Sequence, residues 1–497
     1  MEEDRRTCLI VEQAMSEENT ILSGDTLQHT SIPISEILSR SGRLEASIYG
    51  IEGKRARAIV ANSPWPKREL TGKKGIAEVS YPSRFKRIFL DHSNLPIFQP
   101  SQITDQKPQP NLYISELTPT DIEGLRVKRN QILLTRSGTI GTCALVSKSY
   151  ENQIFSDDLL RITCYEETDA GYLYAFLKSK VGHTLVVTNN YGAVVQHIEP
   201  QQLESLEVPY PSYDVRSKIN ELIIASYQKR DEANELINNA EKRLKLNLLL
   251  PDLQEFESKD GTVDINSVSV NDLEGRLEAH YHQKKIERII THLKKNSKQL
   301  VRVGDEIISS EIILPGRFKR TYVNEGQGIV FFGGKQVYEL DPSDKKYLSL
   351  KLHDSRIKHQ LTLEQNSIMI TRSGTIGRVQ ITPKHWSGWT ANEHIIRIIP
   401  SNSEIAGYLY VWLQSDYGEV LIKRFKYGAV VDELDTNQMG AVEIPLLLST
   451  SQQLQINNMA LKANELRYKA YILEQQAIEL MQKNMDGGLS KTILVNH

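Results

Sequence analysis

QILLTRSGTIGTCALV, residues 131–146, and NSIMITRSGTIGRVQIT, residues 366–382, share seven consecutive residues, Thr135 to Gly141 and Thr371 to Gly377. The separation is 371 − 135 = 236 positions, and flanking sequence keeps it: GYLY at Gly171 and Gly407, YGAVV at Tyr191 and Tyr427, Val208-Pro209 and Ile444-Pro445. Upstream the offset is 233, both for Arg43-Leu44-Glu45-Ala46 against Arg276-Leu277-Glu278-Ala279 and for RFKR at Arg84 against RFKR at Arg317. One short insertion separates the two offsets. Two copies of about 235 residues fill most of the 497-residue chain. Solenoid units run to roughly 20–50 residues, whereas a unit of this length buries a core of its own. The pattern predicts two tandem domains.

Composition is that of a globular chain, 39% hydrophobic and 25% charged. MEEDRRTCLIVEQAMSEEN at the start lacks a basic-then-apolar leader, and no run approaches the roughly 20 apolar residues of a membrane helix. A cytoplasmic location without membrane contact is expected. Cys8, Cys143 and Cys164 are widely spaced and match no metal pattern, so they are expected to be reduced thiols.

The formal net charge of −2 hides a polarity. From Lys54 to Arg87 ten basic residues face two acidic ones, and from Lys284 to Arg320 ten face four. One such run is usually a solvated surface. Its recurrence in the same part of two diverged copies points to a polyanion partner.

Each basic region leads into an apolar strand, a Gly-containing turn and a second strand. Gly138, Gly141, Gly374 and Gly377 permit turn conformations closed to other residues. Arg136, Ser137 and Thr139, with Arg372, Ser373 and Thr375, offer guanidinium and hydroxyl donors suited to a phosphate or base edge; a hairpin kept for folding alone is the competing reading. If they meet DNA, the expectation is that Arg136→Ala and Arg372→Ala weaken binding to every sequence alike. In the helices that follow, Tyr172, Tyr174, Phe176, Tyr408, Tyr410 and Trp412 are expected to pack inward. Lys423, Arg424 and Lys426 approach the second YGAVV loop and are candidate contacts.

A long helix closes each copy. Ile456, Met459, Ala463, Leu466, Ala470, Leu473, Ala477 and Leu480 step by three and four, the spacing of a paired-helix seam. Ile219, Leu222, Ala233, Leu236 and Ala240 follow the same rhythm, with Ser226 and Lys229 as dents. Each helix is the other's natural partner, a rod of roughly 50 Å for about 35 residues.

No catalytic constellation emerges. NSPW at Asn62 looks superficially like an amino-methyltransferase tetrapeptide, but it lacks the Pro-Pro step and has no counterpart in the second copy. PDLQEFESK at Pro251 holds the letters of a nuclease motif in an apparent linker. There is no phosphate-binding loop, HExxH or GxSxG, and His197 of the first copy meets Glu433 in the second.

The doubled succession of TRSGTIG, the GYLY helix, a Gly-containing loop, a Pro step and a long helix resembles the specificity subunit of type I restriction-modification systems, over about residues 30–485. The resemblance implies an α+β chain with pseudo-two-fold symmetry: two tandem-duplicated α/β target-recognition domains separated by two long antiparallel coiled-coil helices. On that plan 1–30 is an N-terminal extension, 31–212 and 273–448 are the recognition domains, and 213–248 and 449–484 the spacer helices. The remaining 249–272 is a linker and 485–497 a tail. PYPSYDVRSK and PLLLSTSQQLQ stand where the family commonly has a Pro-rich, Glu-Gln-containing lead-in to each helix.

The resemblance further implies a subunit without catalysis, bound to double-stranded DNA and to two methyltransferase subunits, with restriction and translocase subunits in some complexes. No cofactor is expected on this chain. S-adenosylmethionine belongs to the partner methyltransferase, and ATP and Mg to a partner restriction subunit. The DNA contacts expected are Lys73, Lys74, Arg84, Lys86 and Arg87 in the first domain and Arg317, Lys319 and Arg320 in the second, with the TRSGTIG and loop residues named above. The expected seam is Ile219, Leu222, Leu236, Met459, Leu466, Leu473 and Leu480. Two rival readings stay open at this stage, a coiled-coil scaffold with two protein-binding heads and a free-standing methyltransferase or nuclease.

Overall fold

The computed structural model describes residues 31–39, 44, 46–190, 196–257, 267–273, 275–342, 344–428 and 430–486. Cys8, the extension 1–30, residues 191–195 of the first YGAVV loop and the tail from 487 lie outside the described residues.

The first head begins with α1 (Ile51–Asn62) and the short strand β1 (Lys67–Glu69). β2 (Ala77–Ser80), β3 (Ile132–Thr135), β4 (Cys143–Leu145) and β5 (Leu159–Cys164) form a four-stranded sheet in the order β2-β5-β3-β4. Every pairing in it is antiparallel, with Leu133 opposite Ala144 and Arg161. Two helices follow, α2 (Glu167–Lys178) and α3 (Lys180–Thr188), and then β6 (Glu207–Pro209), which pairs back onto β1.

The long helix α4 (Tyr213–Asn247) leads to the second head, which opens with α5 (Lys284–Asn296) and β7 (Gln299–Arg302). β8 (Ser309–Ile313), β9 (Ile368–Thr371), β10 (Val379–Ile381) and β11 (Ile395–Pro400) repeat the sheet in the order β8-β11-β9-β10, again antiparallel. Between β8 and β9 lies α6 (Leu350–Arg356); after β11 come α7 (Ser403–Gln414), α8 (Asp416–Lys423) and β12 (Glu443–Leu446), paired with β7. The chain's last described element is α9 (Thr450–Asp486). The central sheets are built from hairpins and antiparallel pairings, so each head is α+β and the expected α/β character of the heads is corrected.

α4 and α9 lie antiparallel: the Ser226 hydroxyl donates to the Ala470 carbonyl at 2.7 Å, while Arg243, further along α4, reaches Gln455 near the start of α9 at 3.1 Å. The buried seam differs from the expected one. Ile219 and Leu466 are buried, but Leu222, Leu236, Met459, Leu473 and Leu480 are half-buried flanks. The centre is made by Ile223, Ala233, Ile237 and Ala240 against Ala463, Ala470 and Ala477. Alanine lets the two backbones come close enough for the Ser226 hydrogen bond, which pushes the larger leucines to the rim. Ser226, read as a dent, is a fully buried part of the seam.

The first head's core continues onto Ile219, Ile223 and Tyr227 of α4 and Ala477, Met481 and Met485 of α9. The second head's core continues onto Ala233 to Leu244 of α4 and Ile456 to Leu466 of α9. Each head therefore sits on one end of the helix pair. Docking is specified by the repeated GYLY: a Cβ on Gly407 would lie 2.2 Å from the Asn457 carbonyl oxygen, and the Gly407 N–H donates to Asn457 Oδ1 at 2.8 Å. Gly171 makes the same bond to Asn220 at 2.9 Å. The six aromatics of α2 and α7 are buried, as expected. Trp65 of NSPW donates its indole N–H to the Asn484 carbonyl at 2.9 Å, a structural contact with the end of α9.

The heads also touch each other. The Gln106 N–H donates to the Tyr338 carbonyl at 2.8 Å and its side-chain amide to the Glu339 carbonyl at 3.0 Å. Beneath this junction Arg230 of α4 pairs with Glu474 of α9, which also accepts from Tyr174. Burial alone would raise the Glu474 pKa, but Arg230 and Lys178 outweigh it and hold the carboxyl below its ordinary value.

Candidate nucleic-acid interface

Both TRSGTIG segments fold into the same closed turn. Thr135 and Thr371 each donate their hydroxyl to the carbonyl of the residue four further on, and accept at Oγ1 from the N–H of the residue seven further on, both at 3.0 Å. Gly138 and Gly374 take φ of +70° and +73°, a region that strains any residue with a Cβ. Thr139 and Thr375 stand exposed at the tips.

The two arginines face inward. Arg136 is only 3% exposed; its backbone carbonyl accepts from Ile198 N–H, its Nε donates to the Ile198 carbonyl, and Nη2 reaches Glu199 at 3.0 Å. Arg372 repeats the clasp on Leu434, with Nε donating at 2.7 Å and Nη2 pairing with Glu433. In each head the arginine ties the turn to the loop that follows YGAVV. The expectation of direct contact through Arg136 and Arg372 is corrected to a positioning role, because their donors are turned onto protein acceptors. Arg424 is likewise turned inward, onto Glu443 at 2.9 Å and the Tyr281 hydroxyl at 2.9 Å.

Beside these arginines the copies exchange an acid and a histidine. Ser137 donates to Asp158 in the first head, while Ser373 meets His394 Nδ1 at 2.7 Å in the second. Across the turn, His197 bridges Ser137 and Glu433 bridges Ser373. Asp158 and His197 thus become His394 and Glu433. Comparing 197 with 433 alone suggests a lost residue; reading 158 with 394 at the same offset reveals the exchange.

The outward basic surface is made by the RFKR segments, and both alternate identically. Arg84 and Lys86 point out, as do Arg317 and Lys319, while Phe85 and Phe318 pack against the cores of their own heads. The last arginine is held from below: Arg87 by Asp157 and Arg320 by Glu393, both acids buried. Burial works to raise the Glu393 pKa, yet its own backbone N–H and Arg320 outweigh it and lower the value. Along each Arg-Phe-Lys-Arg segment exposed and half-buried residues alternate, as side chains do on extended backbone.

Arg84 lines an open hollow with Tyr81, Ser83, Arg136, His197 and Glu199. In the second head Arg317, 74% exposed, lies 3.7 Å from Glu433, so its ribbon borders the equivalent loop. Lys73 and Lys74 are exposed in the turn between β1 and β2. Lys423 pairs with Glu419 on its own helix, and Lys426 with Asp432 at 2.8 Å. Val430 and Val431 are exposed on that loop. Among the described residues no cluster of His, Cys, Asp and Glu could hold a metal, and no helix is long and apolar enough to cross a membrane.

Comparison with known proteins matches part of the chain to a family. The family model for the type I restriction modification DNA specificity domain matches residues 317–459, from the second RFKR ribbon into α9. No curated protein sequence matches the chain. Among solved structures, the type I restriction-modification system S subunit from M. genitalium is 14% identical, covering 85% of this chain and 96% of that one, with a TM-score of 0.32. The HsdS subunit from Thermoanaerobacter tengcongensis is 14% identical, covering 84% and 99%, with a TM-score of 0.26.

Proposed function

We propose, from the premise that residues 317–459 belong to the type I restriction modification DNA specificity domain family, that the whole chain is a non-catalytic DNA-recognition subunit. Its two heads read the two parts of a bipartite site. It brings two adenine-N6 methyltransferase subunits, which carry S-adenosylmethionine, to that site in a type I or related methylation-based phage-defence complex. Restriction subunits using ATP and Mg join where the system cleaves. The observation that carries this reading is the doubled outward Arg-x-Lys ribbon, Arg84 and Lys86 in one head and Arg317 and Lys319 in the other, each beside an arginine-clasped turn.

Cations spaced along a ribbon suit phosphates, and their contribution is independent of sequence. A pseudo-two-fold relation between heads lets them address the two strands of one duplex as a dimer does. Because the heads differ in sequence, the half-sites need not match. The test is single-molecule sequencing of DNA from cells expressing the chain with its neighbouring methyltransferase. A bipartite motif, methylated on adenine in both strands and lost on deletion of this chain, is expected; an expressed methyltransferase with no such motif refutes the reading.

A further inference from the structure

The heads share the basic ribbon but differ in what lies on it. In the second head the strand Lys346–Ser349 runs straight into α6, which kinks at His353 (φ −127°), and one wider turn follows, Ile357–Leu361. Its inner side is anchored: Ile357 and Leu361 are buried with Phe331 and Leu348, and Phe318 of the RFKR ribbon packs against them. Arg356 donates to the Gly316 carbonyl at 3.0 Å with its guanidinium 4.9 Å above the Phe318 ring. His353 accepts from the Thr321 N–H at 3.1 Å, its ring 5.3 Å from Phe318. The segment is thus fixed on both sides of Arg317 and Lys319.

Its outer side is free of such anchoring. Lys351, Leu352, Ser355, His359 and Gln360 are exposed, with Leu352 at 64%; Lys358 is exposed but paired with Asp354 at 2.8 Å. Lys351 and Leu352 before the kink and Ser355 after it thus expose a cation, a methyl surface and a hydroxyl. Among its described residues the first head has no such segment at the corresponding place. After its strand Tyr113–Ile114 comes an irregular path, Ser115–Leu125, with only the short helical turn Glu123–Leu125. Residues 350–361 carry Lys351, Arg356 and Lys358 against Asp354, so 3 − 1 = +2, whereas residues 115–125 carry Glu116, Asp121 and Glu123 and no Lys or Arg, giving −3.

From this placement we infer that the helical segment 350–361 is the sequence-reading element of the second head, entering the major groove of one half-site while Arg317 and Lys319 hold the adjoining phosphates. The inference rests on the DNA-recognition reading above. The groove admits a helix, and its edges offer acceptors, donors and thymine methyls that match hydroxyl, imidazole and leucine side chains. The first head, whose corresponding segment 115–125 is acidic and lacks this helix, reads its half-site through other residues.

The test is the methylation motif produced by the complete complex carrying Ser355→Ala with His359→Ala, and separately Leu352→Ala. All three side chains are exposed, so folding is expected to be unchanged, and the melting temperature of the purified complex checks it. The expected result is relaxed choice at one or two positions of a single half-site, with preference falling roughly 5- to 150-fold per position, while the other half-site and the spacing stay as they were. An unaltered motif in both variants overturns the assignment, and so does an equal loss across both half-sites in a folded complex, which would mark a phosphate contact. If the parent complex yields no bipartite motif, the recognition reading itself fails, an outcome distinct from either.

Discussion

Arg84 and Arg136 line the same hollow, yet the structure gives them opposite tasks. The Arg136 side chain donates to the Ile198 carbonyl and pairs with Glu199 inside the head, so Arg136→Ala removes the tie between the turn and the loop. A stability loss of about 2–4 kcal/mol is expected, read as a lower denaturation midpoint. Arg84→Ala leaves the midpoint unchanged and lowers the slope of log affinity against log salt by about 0.9. A residue whose worth depends on pH lies at the junction of the heads. Burial pushes the Asp105 carboxyl up from 3.8 to about 7, Arg378 opposing and Glu339 adding to the rise. A carboxyl raised in the folded state stays protonated there while the unfolded chain ionises. Stability therefore falls as pH climbs from about 4 to 7 and is level above that. Asp105→Asn removes the penalty, raising the melting temperature at pH 8 relative to the parent and leaving it nearly equal at pH 4; the gain at pH 8 is on the order of 2–4 kcal/mol.

Helix packing shows where sequence periodicity stops being informative. A three-four rhythm marks both long helices, and it is satisfied equally by the leucines at 466, 473 and 480 and by the alanines at 463, 470 and 477. Hydrophobicity favours the leucines as the seam, whereas the close approach at Ser226 and Ala470 selects the alanines. Ala470→Leu is accordingly expected to destabilise by about 1–3 kcal/mol through overpacking, and Leu473→Ala to cost less, a difference that paired thermal melts resolve. Gly407→Ala, whose Cβ meets backbone at 2.2 Å, is expected to undock α7 from α9 and to be the most damaging of the three. Repetition made the two heads, the long helices and the turn glycines legible in advance. The direction of Arg136, Arg372 and Arg424 was not, because an arginine beside small polar residues reads alike whether it faces solvent or clasps a loop. Nor was α6 legible: it occurs in one copy only, and comparison between copies is blind to what just one of them contains.

At the scale of the molecule, two heads on opposite ends of one helix pair are further joined by Gln106, Tyr338 and Glu339. The helix pair and this junction together hold the distance between the basic ribbons, so lengthening the chain between Glu257 and Ser267 is expected to leave the separation of the half-sites unchanged in the sequenced motif. The symmetry relating the halves breaks at one place that matters. With Asn220 answering Asn457, Arg230 answers Arg467 and Ile237 answers Glu474. Arg230 has its acid; Arg467, 2% exposed, has among the described residues the neutral Gln380 and Tyr410, at 3.3 Å each. A chain recombined from two first halves would bury two arginines against isoleucine, and one from two second halves would form the Arg-Glu pair twice. At this buried crossing of the long helices the two halves are therefore not interchangeable.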